Sequence, residues 1–323
     1  MVDPGDIVEG EEVGRGAFGA VRVCEIASLG GAKAVAKTML VGPRRGGAER
    51  VGEERGGEEE MPLGEFAKEF ELLSKLSHPN VVRTIGAAET DDGGLVILQE
   101  YVSGGTLKEY VTGKAPCDAR LAVTLLVGVA RAMAYLHSRT PKVLHRDLKA
   151  DNVLVDGEVA KVCDFGLAKL VEKDPEPGGG GEGEPGRPKL QRTMTANVGS
   201  GRYMAPENMK GEEYDEKIDV FSFGILAWEL LNGELAYSDP KYKYVRAQDI
   251  LRHVSKEGLR PAIPGTWPDC VTELVTSCWD QEAYLRPDFP HVVDALKEIQ
   301  GDDGALDALD AAKRGSTCGC TCT

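Results

Sequence analysis

No stretch of this sequence holds the roughly 18 consecutive apolar residues that a bilayer-spanning helix needs. The first thirty residues carry Asp3, Asp6, Glu9, Glu11 and Glu12 where a secretory leader would be basic and then apolar. These absences predict a cytoplasmic chain with no transmembrane segment. Among the eight cysteines, Cys24, Cys117, Cys163, Cys270 and Cys278 are scattered and Cys318, Cys320 and Cys322 crowd the end, which is not a disulfide framework and predicts reduced thiols. The five histidines show no metal-ligand spacing with one another or with cysteines, which argues against a zinc enzyme. Basic residues are in deficit, 38 against 53 acidic, and the net charge of −15 opposes nucleic acid and anionic membranes as partners.

What is present is enough for a substantial core: 323 residues, 41% hydrophobic and 28% charged, predict one large domain or two small lobes. Two stretches break the globular pattern, residues 42–60 (GPRRGGAERVGEERGGEEE) and 172–188 (EKDPEPGGGGEGEPGRP). Glycine-rich and charged, they have too few apolar groups to offset their ordering entropy, and both are expected to be surface insertions. Residues 301–323 show no core-forming pattern and are expected to form a disordered, cysteine-containing tail.

Val13 to Val23, VGRGAFGAVRV, is a glycine-rich loop of the phosphate-cradling kind. The glycines alone fit either a loop opening a helix on a dinucleotide or a turn between two strands over a nucleoside triphosphate. The flanks alternate in strand fashion (GAVRVCEI, then KAVAKTM), and no helix fits before Lys37, so a strand, loop, strand clamp is predicted. Leu63 to Leu76 carries Phe66, Phe70, Leu73 and Leu76 on a helical stripe, with Glu69 on the same side. VVRTIGAAE and LVILQEYV read as strands. Arg120 to His137 reads as an amphipathic helix, and Val220 to Leu231 as a helix enclosed on nearly every side.

Six motifs then occur in order: GRGAFGAV, VAK at Val35 to Lys37, the helical Glu69, HRDLKADN, DFG, and APE at Ala205 to Glu207. With these the chain resembles the eukaryotic protein kinases over nearly its whole length. DVFSFGILAWELLNG and CWDQEAYLRPDF resemble the tyrosine-kinase-like group of serine/threonine kinases, which includes Raf-like and mixed-lineage members. The resemblance implies an α+β, bilobal fold over residues 7–299. A small antiparallel sheet with one main helix would form the N-lobe (about 7–99), followed by a hinge (about 100–105) and a larger helical C-lobe (about 106–299).

The resemblance also implies ATP and Mg2+ as cofactors and protein substrates as partners, and it assigns roles. Val13, Gly14, Gly16, Phe18, Gly19, Val21 and Ala36 would enclose the nucleotide, while Lys37 would hold its α and β phosphates and pair with Glu69. Gln99 takes the gatekeeper position, with backbone groups of Glu100 and Val102 on the base edge. Asp147 would accept the proton of the substrate hydroxyl, Lys149 would stand near the transferring phosphate, and Asn152 and Asp164 would hold magnesium. Arg146 would receive a phosphorylated activation segment, for which Thr193, Thr195 and Ser200 are the candidate sites, with an upstream kinase as activator. Asp219 would support the catalytic loop and Glu207 would pair with Arg286. His145, set among Val143, Leu144 and Leu148, reads as a packing group. Lys149 and GSGRYMAPE point to serine/threonine specificity. A dual-specificity or tyrosine kinase, and a pseudokinase scaffold, stay open as alternatives. Oligomeric state is not readable, and the tail lacks a prenylation box and has only Lys313 and Arg314 as basic support for membrane association.

Overall fold

The computed structural model describes residues 2–16, 19–39, 41–42, 61–62, 70–89, 95–171, 201–239, 242 and 245–317. The chain divides into two compact units, Met1–Ser103 and Gly104–Thr323.

The first unit is built on strands β1 (Ile7–Gly16), β2 (Gly19–Ile26), β3 (Ala32–Met39), β6 (Thr84–Glu89) and β7 (Leu95–Glu100), in the order β1-β2-β3-β7-β6. All pairings in this sheet are antiparallel. A minor parallel pair joins β4 (Val41–Gly42) to β5 (Met61–Pro62). The valine-rich alternation of these segments puts every second side chain on one face. Cys24, Ile26, Ala34, Ala36 and Leu98 thereby form a buried cluster, against which Val2, Ile7 and Ile85 pack. Val2 lies ahead of the first strand and still belongs to this unit: its N–H donates to the Ala87 carbonyl at 2.9 Å. A Cβ on Gly86 would come within 2.8 Å of the Val2 methyl, so a glycine there makes room for this contact. Of the predicted helix from Leu63 to Leu76, residues 70–74 (α1) are helical; Leu76 lies past its end yet remains buried at 6% exposure.

The second unit holds α2 (Leu107–Val111), α3 (Ala119–Ser138), strands β8 (Lys142–Leu144), β9 (Val153–Asp156), β10 (Val159–Val162) and β11 (Lys169–Val171), and helices α4 (Pro206–Lys210), α5 (Lys217–Asn232), α6 (Ala247–Glu257), α7 (Asp269–Cys278), α8 (Phe289–Gly301) and α9 (Asp303–Thr317). By length and composition α3 could cross a bilayer, but 67% of its apolar window is buried inside the fold. Asp118 caps it, accepting from the Leu121 N–H at 2.7 Å. As its composition predicts, α5 is buried on all sides, from Ile218 to Leu231.

Helix α9 corrects the expectation of a disordered tail from residue 301. Ala305, Leu306 and Leu309 are buried. Asp310 Oδ1 accepts from the Ala119 N–H at 2.8 Å, Arg120 pairs with Asp303 at 2.6 Å, and Lys313 Nζ donates to the Cys117 carbonyl at 3.2 Å. Three apolar groups suffice here because the polar residues flanking them, Asp303, Asp310 and Lys313, bind the start of α3 and the carbonyl of Cys117 ahead of it. Cys318, Cys320 and Cys322 lie outside the described residues.

Candidate active site

In the first unit the hairpin register pairs Gly14 with Val21 and Gly16 with Gly19, so the chain reverses at the glycines instead of entering a helix. The same ladders set Val21 opposite Lys37 and Lys37 opposite Ile97. Gly14, Val21, Lys37 and Ile97 therefore form one row across four strands, and cross-strand neighbours share a face. Next to it runs a second row on that face, Val23, Val35, Gln99 and Thr84. The period of two in a strand has a consequence for Ala36. It sits opposite Arg22 and Leu98, is 2% exposed, and belongs to the core on the other face from Lys37. Ala36 is thus removed from the set expected to line a nucleotide with Lys37, and Val35 takes its place. The sequence contained this signal, since only residues an even number of positions from Lys37 share its face.

Gly14 meets no atom within 4 Å of an ideal Cβ among the described residues, so no packing contact requires a glycine there. Val13 is 52% exposed beside a shift in the β1 register. Glu100, at the end of β7, is held twice by the Arg83 backbone: its N–H donates to the Arg83 carbonyl at 2.9 Å and its carboxylate accepts from the Arg83 N–H at 2.8 Å. Val102 is 9% exposed. Phe18, Glu69, Thr193, Thr195 and Ser200 lie outside the described residues, as do residues 43–60 and 172–188.

In the second unit, β8 leads into a loop that gathers Asp147, Lys149 and Asn152. Lys149 Nζ donates to Asp147 Oδ2 at 2.7 Å, and Asn152 Nδ2 donates to the same oxygen at 2.9 Å and to the Asp147 carbonyl at 2.8 Å. The Asp147 side chain is 9% exposed. The Cys163 N–H donates to the Asn152 carbonyl at 3.0 Å, which ties the segment carrying Asp164 to this cluster. Asp164 is an exposed residue.

Asp219 on α5 holds the loop from beneath. Fully buried, it accepts from the backbone N–H of His145 through Oδ2 at 2.9 Å and of Arg146 through Oδ1 at 2.8 Å. His137 Nε2, 2.9 Å from Oδ2, completes the set and carries the proton, because a carboxylate only accepts. Burial works to raise the Asp219 pKa, but the hydrogen bond and charge of His137, with His145 and the Arg146 amide, outweigh it and hold the carboxyl below its ordinary range. These bonds keep Arg146 at φ 68°, and Asp164 stands at φ 60°, both left-handed conformations that a side chain ordinarily avoids. His145 does pack, with its ring 5.1 Å from that of Phe165, but it also bonds. Nδ1 accepts from the Asp147 N–H at 3.3 Å and Nε2 donates to the Cys163 carbonyl at 3.0 Å. His137 was not singled out in the sequence; one histidine near a helix end carries no periodic signal of its role.

A second buried network lies further along α5. Glu229, unexposed, accepts from the Tyr203 hydroxyl at 2.5 Å and the Ala236 N–H at 2.8 Å. Burial pushes its carboxyl up to about 7, against the pull of Tyr203, Ala236 and Arg202. The expected Glu207–Arg286 pair is formed, by two bonds of 2.6 and 2.9 Å.

The residues present fit a magnesium ion by the chemistry of their donors. With Asn152 Nδ2 turned to Asp147, the amide oxygen is the ligand-type atom remaining, and the Asp164 carboxylate is a second hard oxygen donor.

Comparison with known proteins follows the same lines. The family model described as protein tyrosine and serine/threonine kinase matches residues 7–296. A probable serine/threonine-protein kinase of Dictyostelium discoideum is 37% identical over 239 residues, 73% of this chain and 23% of its own length. The serine/threonine-protein kinase VIK of Arabidopsis thaliana is 36% identical over 253 residues, 75% of this chain and 52% of its own. The dual specificity protein kinase shkA of Dictyostelium discoideum is 32% identical over 244 residues, 75% of this chain and 43% of its own. The chain thus spans about half or less of the length of these relatives.

Proposed function

The chain belongs to the protein tyrosine and serine/threonine kinase family, and from that premise we propose that it transfers the γ-phosphoryl group of ATP to serine and threonine hydroxyls of protein substrates. The observation that carries the reading is the clamp on Asp147, whose Oδ2 receives both Lys149 Nζ and Asn152 Nδ2 within 2.9 Å. A carboxylate so held is aimed to take a proton from an incoming alcohol. As that proton passes to Asp147, the alcohol oxygen bonds to the γ-phosphorus and the bond to the ADP oxygen breaks. Lys149 opposes the negative charge on the moving group. Lys37, in one row with Gly14 and Val21, binds the remaining phosphates, and the backbone at Gly14 approaches them without side-chain obstruction. Val35 and Gln99, on the same face, together with the backbone of Glu100 and Val102, take the adenine. Asn152 and Asp164 would hold magnesium, which would supply positive charge beside the transferring phosphate.

Serine/threonine transfer is supported by Lys149 and by relatives described as serine/threonine kinases. A dual-specificity reading is favoured by the shkA kinase, a relative described as a dual specificity protein kinase. Phosphoamino-acid analysis after incubation with labelled ATP and a general protein acceptor separates them, with Asp147→Asn as the inactive control. Label on serine and threonine alone is expected. Label on tyrosine as well would replace the reading by dual specificity, and no label above the control would leave a binding scaffold.

A further inference from the structure

We propose that a groove between α7 and α8 docks a basic segment of a partner polypeptide through a short aliphatic anchor flanked by lysine or arginine. The groove encloses 540 Å³. Leu274 and Ile299, 8% and 4% exposed, form its floor with Ala295, and Glu273, Glu298 and Asp302 stand around it. Among the described residues no lysine or arginine lines it, and His291 is its one basic side chain. Lys297, the cation nearest in sequence on α8, is directed to Asp294 at 3.5 Å. The Asp302 carboxylate accepts from the Ala305 N–H at 3.0 Å, while Glu273 and Glu298 have no ion pair among the described residues.

Charge selects the occupant. Three carboxylates around an apolar floor repel phospholipid headgroups and nucleic acid. No group of three or more His, Cys, Asp or Glu among the described residues is arranged to hold a metal ion. A second copy of this chain, at net charge −15, would bring acid against acid. A cationic peptide meets the rim with opposite charge and the floor with an aliphatic side chain, and the two contributions come from separate atoms. This inference stands apart from phosphoryl transfer, since no residue of the groove belongs to the Asp147 cluster.

The test is fluorescence anisotropy of the full chain with a labelled peptide, RKGLLGRK. Two control peptides carry alanine for both leucines or glutamate for the basic residues. Binding of the first peptide and loss of both controls is expected. Glu273→Lys combined with Glu298→Lys should weaken binding by roughly tenfold or more. Ala295→Trp, which fills the groove from within, should weaken it comparably, whereas Glu212→Lys with Glu213→Lys, an equal charge change elsewhere, should not. The proposal is overturned if the leucine peptide fails to bind, if the alanine peptide binds equally well, or if the Glu212 and Glu213 reversal matters as much as the groove reversal. Thermal melts and phosphoryl transfer of each variant report whether the fold is intact.

Discussion

Arg286, 1% exposed, closes a fork on Glu207: Nη1 donates to Oε1 at 2.6 Å and Nη2 to Oε2 at 2.9 Å. The guanidinium also donates to the carbonyls of Asp280 and Lys217 and lies 5.1 Å from the Phe221 ring, so one side chain joins α4, α5 and the entry to α8. Removing one member strands the other charge in the interior. Arg286→Ala is expected to destabilise the fold by about 3–5 kcal/mol, read as a shift of the urea midpoint. Arg286→Lys should recover little of it, because an ammonium cannot form the fork.

Asp219→Ala orphans the amides of His145 and Arg146, at about 1–3 kcal/mol each, and releases the strained φ of Arg146. Phosphoryl transfer should fall with stability, and Asp219→Asn, which keeps an acceptor, should fall less. Since the folded pKa lies below the ordinary carboxylate range, this group's contribution is complete above that range and disappears as pH drops through the folded value. Urea unfolding at a series of acidic pH values should show an acid limb in the wild type that is reduced in Asp219→Asn.

Glu229 has the opposite sign. Its folded pKa of about 7 lies above the reference 4.5. The folded state therefore binds the extra proton, and stability present at low pH is lost as pH rises from 4.5 through about 7. The full effect is on the order of 3 kcal/mol. Glu229→Gln should flatten this limb in urea melts taken across that range; an unchanged slope would mean that the carboxyl titrates normally.

Gly14→Ala separates fold from function. With no atom within 4 Å of the new Cβ among the described residues, the melting temperature should hold. KM for ATP should rise by about tenfold, some 1.4 kcal/mol of binding, if phosphates approach the backbone there. Steady-state kinetics and a thermal melt on one preparation give both readings.

Asp310→Ala removes the acceptor that α9 brings to the Ala119 N–H. A loss of about 1 kcal/mol is expected, with faster hydrogen exchange confined to the first turn of α3. Truncation before Asp303 should produce the same pattern more strongly.

The parts legible in the sequence were those with a local period. The alternation from Gly19 to Met39 fixed a hairpin because each strand buries one face, and the 3.6-residue repeat from Leu121 to Leu136 fixed α3 because one side is enclosed. Motif order singled out Asp147, Lys149, Asn152 and Asp164, whose expected roles are those the kinase resemblance implies. Strand parity puts Ala36 on the other face of the sheet from Lys37, which the order of the motifs does not register. Helix α9 was missed because Ala305, Leu306 and Leu309 are too few to stand out in an acidic segment.

Composition and motif order by themselves determined the family, the two-part make-up and the polar residues of the Asp147 loop, since each is written in short stretches of neighbouring residues. Tertiary structure alone decided that Asp219 collects two loop amides and His137, that Glu229 is buried against Tyr203, and that α9 caps α3. Those outcomes depend on which distant groups share a buried volume, where desolvation makes each hydrogen bond obligatory, and separation along the chain carries no record of that.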